Sequence, residues 1–135
     1  MAAVVLDAST ILSALFPDEP GRMSEIIALI GREGALVPPI WPAEIVNGVW
    51  LGIRRDRVDR DESITALERL NRLSITVVEL NLPDYAGEVL SLALRHGLSV
   101  YDACYLHLAR SRALPLVTRD RRLQVAARSE NVALA

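Results

Sequence analysis

Lysine is absent from this chain: all fifteen basic residues are arginine. Chemistries that depend on a lysine side chain are therefore excluded. Cys104 is the single cysteine, so no internal disulfide can form, and no Cys/His cluster has the spacing to hold zinc. Charged residues interrupt every apolar run before it is long enough to cross a membrane. No charged leader with an apolar core and cleavage site precedes the first apolar run. The chain reads as cytoplasmic with no membrane association. A formal net charge of -2 gives no overall basic signal.

What is present is apolar. The 135 residues fit one domain, 1–135, and 51% of them are hydrophobic. A domain of this size buries roughly two-thirds of its unfolded surface and needs no staple. The apolar excess suggests either surface covered by another chain or a sheet buried on both faces.

Short β-rich runs occur at Val4-Val5-Leu6, Ala35-Leu36-Val37, Ile75-Thr76-Val77-Val78 and Leu116-Val117-Thr118, with Val132-Ala133-Leu134 as a possible fifth. Stretches with helical spacing lie between them, for example Ile45, Val46, Val49, Trp50 and Ile53, or Tyr101, Cys104, Tyr105, Leu108 and Ala109. Gly34 and Gly97 stand where helices should stop, and Pro42 is placed to open the helix that carries Glu44. Strands that alternate with helices and lack internal polar alternation predict an α/β fold with a parallel sheet covered on both faces.

Four acids stand at the ends of these elements. Asp7 closes the first strand, and Glu44 lies in the first turn after Trp41-Pro42. Asp102 follows Ser99 in S-V-Y-D, and Asp120 follows Thr118 in L-V-T-R-D. Each has a capping explanation by itself. In an open parallel sheet, however, the carboxyl ends of the strands and the N-termini of the following helices share one edge, where ligands bind. All four acids fall on that edge.

Convergence would be costly. Two unit charges 4 Å apart repel by about 4 kcal/mol at an effective dielectric near 20, against a net stability of roughly 5–15 kcal/mol for a whole domain. A divalent cation removes the difficulty, and oxygen-only donors suit Mg2+ or Mn2+. Such a cation can generate hydroxide and stabilise charge on a phosphate, so the pattern points to metal-assisted hydrolysis of a phosphodiester. Ser9 and Thr118 would be donors to the acids, phosphate contacts, or capping hydroxyls. Arg119, Arg121 and Arg122 surround Asp120, which places a guanidinium on the rim for phosphate. The cluster of Arg54, Arg55, Arg57 and Arg60 is interleaved with acids and reads as a solvated helix end.

The segments V-V-L-D-A-S, W-P-A-E-I-V-N, L-S-V-Y-D-A-C-Y-L-H-L-A and L-V-T-R-D, in this order, resemble the PIN-domain ribonucleases, and more narrowly VapC-type toxins of bacterial toxin–antitoxin pairs. The resemblance runs from Val4 to Val132. It implies a three-layer α/β/α sandwich with a mostly parallel sheet, and Mg2+- or Mn2+-dependent endonucleolytic cleavage of RNA. It also implies a homodimer and a small antitoxin that blocks the site. The family's acidic positions match Asp7, Glu44, Asp102 and Asp120, as catalytic residues and metal ligands, and its hydroxyl positions match Ser9 and Thr118. Leu123 departs from it, standing where many relatives carry an aromatic residue.

Other readings fare worse. A receiver domain needs a strand-end lysine, and a haloacid-dehalogenase-like phosphatase needs a second aspartate where Ser9 stands. The rival from another class is a non-catalytic PIN-like binding module acting through protein or RNA contacts. Trp50 is expected in the core or at an interface, Tyr101 and Tyr105 are expected to pack, and Trp41 to pack against a partner or stack on a base. Asp18 and Asp84 are expected at a loop and a helix start. His96 and His107 lie apart from any ligand set.

Overall fold

The four strongest β-rich runs become strands: β1 (Val4–Leu6), β2 (Ala35–Val37), β3 (Ile75–Val77) and β4 (Leu116–Val117). The computed structural model describes residues 3–15 and 22–135; Asp18 lies outside them. The sheet order is β3-β2-β1-β4, and the expected mostly parallel sheet is parallel at every pairing among the described strands.

Parallel neighbours cannot be joined by tight turns and need crossovers. Helices α1 (Ala8–Leu15) and α2 (Arg22–Glu33) make the first, and α3 (Trp41–Arg54) and α4 (Arg60–Asn71) the second. The third holds α5 (Leu82–Asp84), a π-helical turn (Tyr85–Val89), α6 (Leu90–His96) and α7 (Val100–Arg112); α8 (Arg121–Ser129) follows β4. Local chemistry sets several of these ends. Pro42 lies in the first turn of α3, and Asp59 caps α4 by accepting the Glu62 N–H at 3.0 Å.

Successive strand side chains point to opposite faces, and Val4, Val5 and Leu6 are all buried. Both faces of β1 are therefore covered, the condition for three layers. The edge strand β3 behaves differently: among the described strands it pairs only with β2, and Val77 is exposed. The closing apolar run does not become a strand. It lies beside β4 through one parallel bridge, Leu116 to Leu134, with the Leu116 N–H donating to Ala133 O at 2.8 Å.

α7 packs against β1 and β4 and is buried continuously from Ala103 to Ala109, as a helix enclosed by its neighbours should be. Two expectations about packing need correction. Tyr101 does not join the core: it is exposed at the start of α7. Trp50 is outside the core, exposed with the Arg54 guanidinium 5.1 Å from its ring centroid. Trp41 is not an exposed stacking surface: it is buried with this chain's own core, at the wall of an apolar groove.

Gly34 and Gly97 do end helices, in left-handed backbone with φ of 75° and 63°. A Cβ at Gly97 would meet nothing within 4 Å, so the backbone alone penalises substitution. Gly97→Ala is expected to cost about 1 kcal/mol. Gly31→Ala, inside α2 and equally uncrowded, is expected to gain up to about 1 kcal/mol. Urea unfolding of the two variants would show the opposite signs.

The strand order reverses next to β1. From β1 the chain moves to β2 and β3 on one side, then crosses to β4 on the other. Such a reversal leaves a crevice at the carboxyl ends of the two strands it separates. Val5 pairs with Leu116 and Leu6 with Val117, so Asp7 and Thr118, the next residues of each strand, emerge side by side.

Candidate active site

Asp7 is buried at that crevice. Its Oδ2 accepts the Thr118 hydroxyl at 2.6 Å and the Ser9 hydroxyl at 2.8 Å, and its backbone N–H donates to Val117 O at 3.0 Å. Asp7 therefore ties together the ends of β1 and β4, beyond what a helix cap would do. The Thr118 hydroxyl in turn accepts the Asp120 N–H at 3.1 Å, while Asp120 Oδ1 caps α8 by accepting the Leu123 N–H at 3.1 Å. The Arg119 N–H lies 3.4 Å from Ser9 Oγ.

Asp102 sits in the first turn of α7, where the capping hydroxyl of Ser99 accepts its N–H at 3.1 Å. Glu44 sits in the first turn of α3, and the Tyr105 hydroxyl donates to its Oε1 at 2.8 Å. Tyr105 is one turn after Asp102 on the same helix and fully buried. Its hydroxyl also contacts the Ala8 backbone. One phenol thus joins α3, α7 and the residue after Asp7.

The acids act on one another. Burial pushes the Asp7 carboxyl above the usual range against the hydrogen bonds from Thr118 and Ser9, and the Asp120 charge adds to the rise. Burial also raises Glu44, opposed by Tyr105 and reinforced by Asp7 and Asp102. Asp102 is raised by burial and by the charges of Asp7 and Asp120. Residues distant in the chain, 7, 44, 102 and 120, thus share one electrostatic neighbourhood. Cys104, behind it, is pushed up to about 11 by burial, then by Glu44 and Asp102. That makes it a poor nucleophile, because the reactive form is the thiolate.

Among the described residues, no three acids, histidines or cysteines form a ready-made metal cage. Mg2+ does not demand one: it keeps several waters and takes only one or two carboxylates together with substrate phosphate. The donor set is oxygen-only, and a doubly charged ion would offset the repulsion that raises Asp7, Glu44 and Asp102. The residues fit a hard cation.

Elsewhere the structure leaves charged groups outside the cleft. Arg54, Arg55 and Arg57 lie at and beyond the far end of α3, about 15 Å along the helix from Glu44 at 1.5 Å per residue. His107 Nδ1 lies 3.0 Å from Glu88 Oε2, and Arg110 pairs with the same carboxylate. The group that sequence reasoning missed is the Tyr105 hydroxyl, since the residue was assigned to packing alone. Its spacing of three from Asp102 places both on one side of the helix and was the available signal.

An open parallel α/β sheet with acids from four segments at its switch-point edge is an arrangement that suits an anionic substrate and a hard cation. The profile of the PIN domain matches residues 4–129. The chain belongs to the PIN-domain family. It is similar to "Ribonuclease VapC3" of Pyrobaculum aerophilum, with 30% identity over 120 residues that cover 89% of this chain and 91% of that protein. A crystal structure of a protein from the same organism superposes with a TM-score of 0.72 at 28% identity, over 93% of this chain and 84% of that one. A toxin–antitoxin complex from Klebsiella pneumoniae contains a chain that shares the fold, with a TM-score of 0.57 and 17% identity over 87% and 86% of the two chains.

Proposed function

We propose that this chain is an endoribonuclease that hydrolyses RNA phosphodiester bonds with Mg2+ or Mn2+, and that it acts as the toxin of a toxin–antitoxin pair. The observation that carries the reading is the shared electrostatic neighbourhood of Asp7, Glu44, Asp102 and Asp120 at the β1–β4 crevice. The relative named a ribonuclease supports the reaction, and the toxin–antitoxin complex of the same fold supports the partner. The toxin is taken to work in the cytoplasm as a homodimer, with a small antitoxin covering the cleft.

In this proposal Asp7 and Asp102 hold the cation, with Glu44 and Asp120 as further oxygen donors. When bound, the cation supplies an activated water and neutralises charge on the phosphoryl oxygens. Ser9 and Thr118 keep the Asp7 carboxylate aimed by donating to its Oδ2. Asp120 keeps one oxygen on the α8 N-terminus, which holds its side chain at the crevice. Arg119, beside Ser9 in the backbone, contributes a phosphate contact. Tyr105 orients Glu44, and its phenol stays neutral because burial and the adjacent Glu44 push it up.

The test is cleavage of a structured RNA with Mg2+, with EDTA, and with Mg2+ restored. Internal cleavage should vanish with chelator and return with metal. Cleavage indifferent to EDTA, or none in any condition, would overturn the reading and leave a non-catalytic binding module.

Tyr105→Phe separates orientation from packing, because the ring is kept and only the hydroxyl is lost. A hydrogen bond to a charged group is worth about 1.5–3 kcal/mol. If roughly half of that aids the transition state, kcat should fall about tenfold with KM unchanged, at 1.36 kcal/mol per decade. Steady-state kinetics would check this, and an unchanged kcat would confine Tyr105 to the core.

A further inference from the structure

A second groove of about 510 Å3 is lined by His96, Gly97, Arg121, Arg122, Val125 and Ala126. Its walls come from the two segments that lead to the acids. Gly97 ends α6 two residues before Ser99 caps α7, and Arg121 and Arg122 open α8 directly after its cap, Asp120. The groove therefore adjoins the helix starts that present Asp102 and Asp120.

Its cations are uncommitted. Arg95 and Arg110 pair with Glu130 and Glu88. Among the described residues, by contrast, neither Arg121 nor Arg122 has an ion pair or a side-chain hydrogen bond, and both are exposed. On the wall from α6, His96 Nε2 is buried without a hydrogen bond, 3.7 Å from Glu130 Oε2. The neighbouring cleft poses an electrostatic problem that these groups answer. Four carboxylates with one divalent cation still carry excess negative charge and repel a polyanion. In a chain of net charge -2, attraction must come from local cations. Two adjacent guanidiniums offer planar forks that match phosphate oxygens, and Val125 and Ala126 give a ribose an apolar wall.

We infer that this groove binds a backbone phosphate of the RNA strand next to the scissile bond, with Arg121 and Arg122 as its contacts. The inference rests on the ribonuclease reading and sets how the substrate is held.

The test compares wild type with an Arg121→Gln/Arg122→Gln double variant on a short single-stranded RNA of mixed sequence. KM should rise about tenfold with kcat nearly unchanged, because the groove touches a phosphate that does not react. RNA binding is read separately by fluorescence anisotropy in an Asp102→Asn background. There the slope of log affinity against log salt should shrink by about 0.7, the value for one single-strand phosphate that is no longer neutralised. Arg112→Gln, at the opposite end of α7 from Asp102, should change neither quantity. An unchanged KM and salt slope in the double variant would overturn the inference. So would relief of inhibition by the antitoxin with RNA kinetics untouched, since the groove would then serve a protein partner. Weakened RNA binding without chelator-sensitive cleavage in wild type would uphold the groove and sink the nuclease reading.

Discussion

Asp102→Asn is expected to lower kcat for RNA cleavage by about 10³-fold or more while leaving the protein folded. A bound metal contributes several kcal/mol of transition-state stabilisation, and each 1.36 kcal/mol is a factor of ten in rate. Asparagine keeps the shape and the backbone N–H that the Ser99 hydroxyl accepts, so the helix start survives. The lost charge is one that burial, Asp7 and Asp120 already disfavour. Without metal the variant should therefore melt no lower than wild type. Single-turnover cleavage alongside thermal melting would separate the outcomes. Full activity in Asp102→Asn would remove this carboxylate from the chemistry, and a sharply lower melting temperature would make its role structural.

The second large effect concerns stability without metal. Asp7, Glu44 and Asp102 all have folded values above those of ordinary carboxylates. From about pH 4 up through those raised values, the folded state binds more protons than the unfolded one, so stability falls as pH rises. Metal-free protein should thus be more stable near pH 5 than near pH 7.5, contrary to the rise seen where carboxylates are paired. Asp7→Asn should flatten this dependence and raise the neutral-pH Tm, by roughly 4 °C for each kcal/mol recovered. Asparagine retains an oxygen that accepts the Ser9 and Thr118 hydroxyls. Saturating Mg2+ at neutral pH should stabilise wild type by the same route, because it binds only the folded state. Calorimetric scans across pH, with and without Mg2+, would test this. A wild-type Tm that climbs steadily from pH 5 to about pH 7.5 in EDTA would show that hydrogen bonding, not repulsion, governs these groups.

Much of the fold was legible in the residues. The short β-rich runs at Val4-Val5-Leu6, Ala35-Leu36-Val37, Ile75-Thr76-Val77-Val78 and Leu116-Val117-Thr118 become parallel strands, the last two each ending one residue earlier than the run. The helix ends at Gly34 and Gly97 followed from glycine's tolerance of positive φ. The packing assignment that failed for an exposed aromatic residue is Tyr101, at the start of α7. Tyr101 shares the helical spacing of its buried neighbours, yet it lies where the helix reaches solvent. Periodicity describes a face but not how far along a helix that face is covered.

Composition and local pattern alone determined that this chain lacks lysine chemistry, an internal disulfide and long uninterrupted apolar runs, that it alternates strand with helix, and that acids stand at element ends. Those properties depend on residue identity and on interactions a few positions apart. Only the tertiary structure decided that β4 lies against β1, which sets the Thr118 hydroxyl on Asp7, and that α7 brings Tyr105 to Glu44. Such contacts join residues 111 and 61 positions apart. No local propensity encodes them, because they follow from how strands and helices bury their apolar faces together.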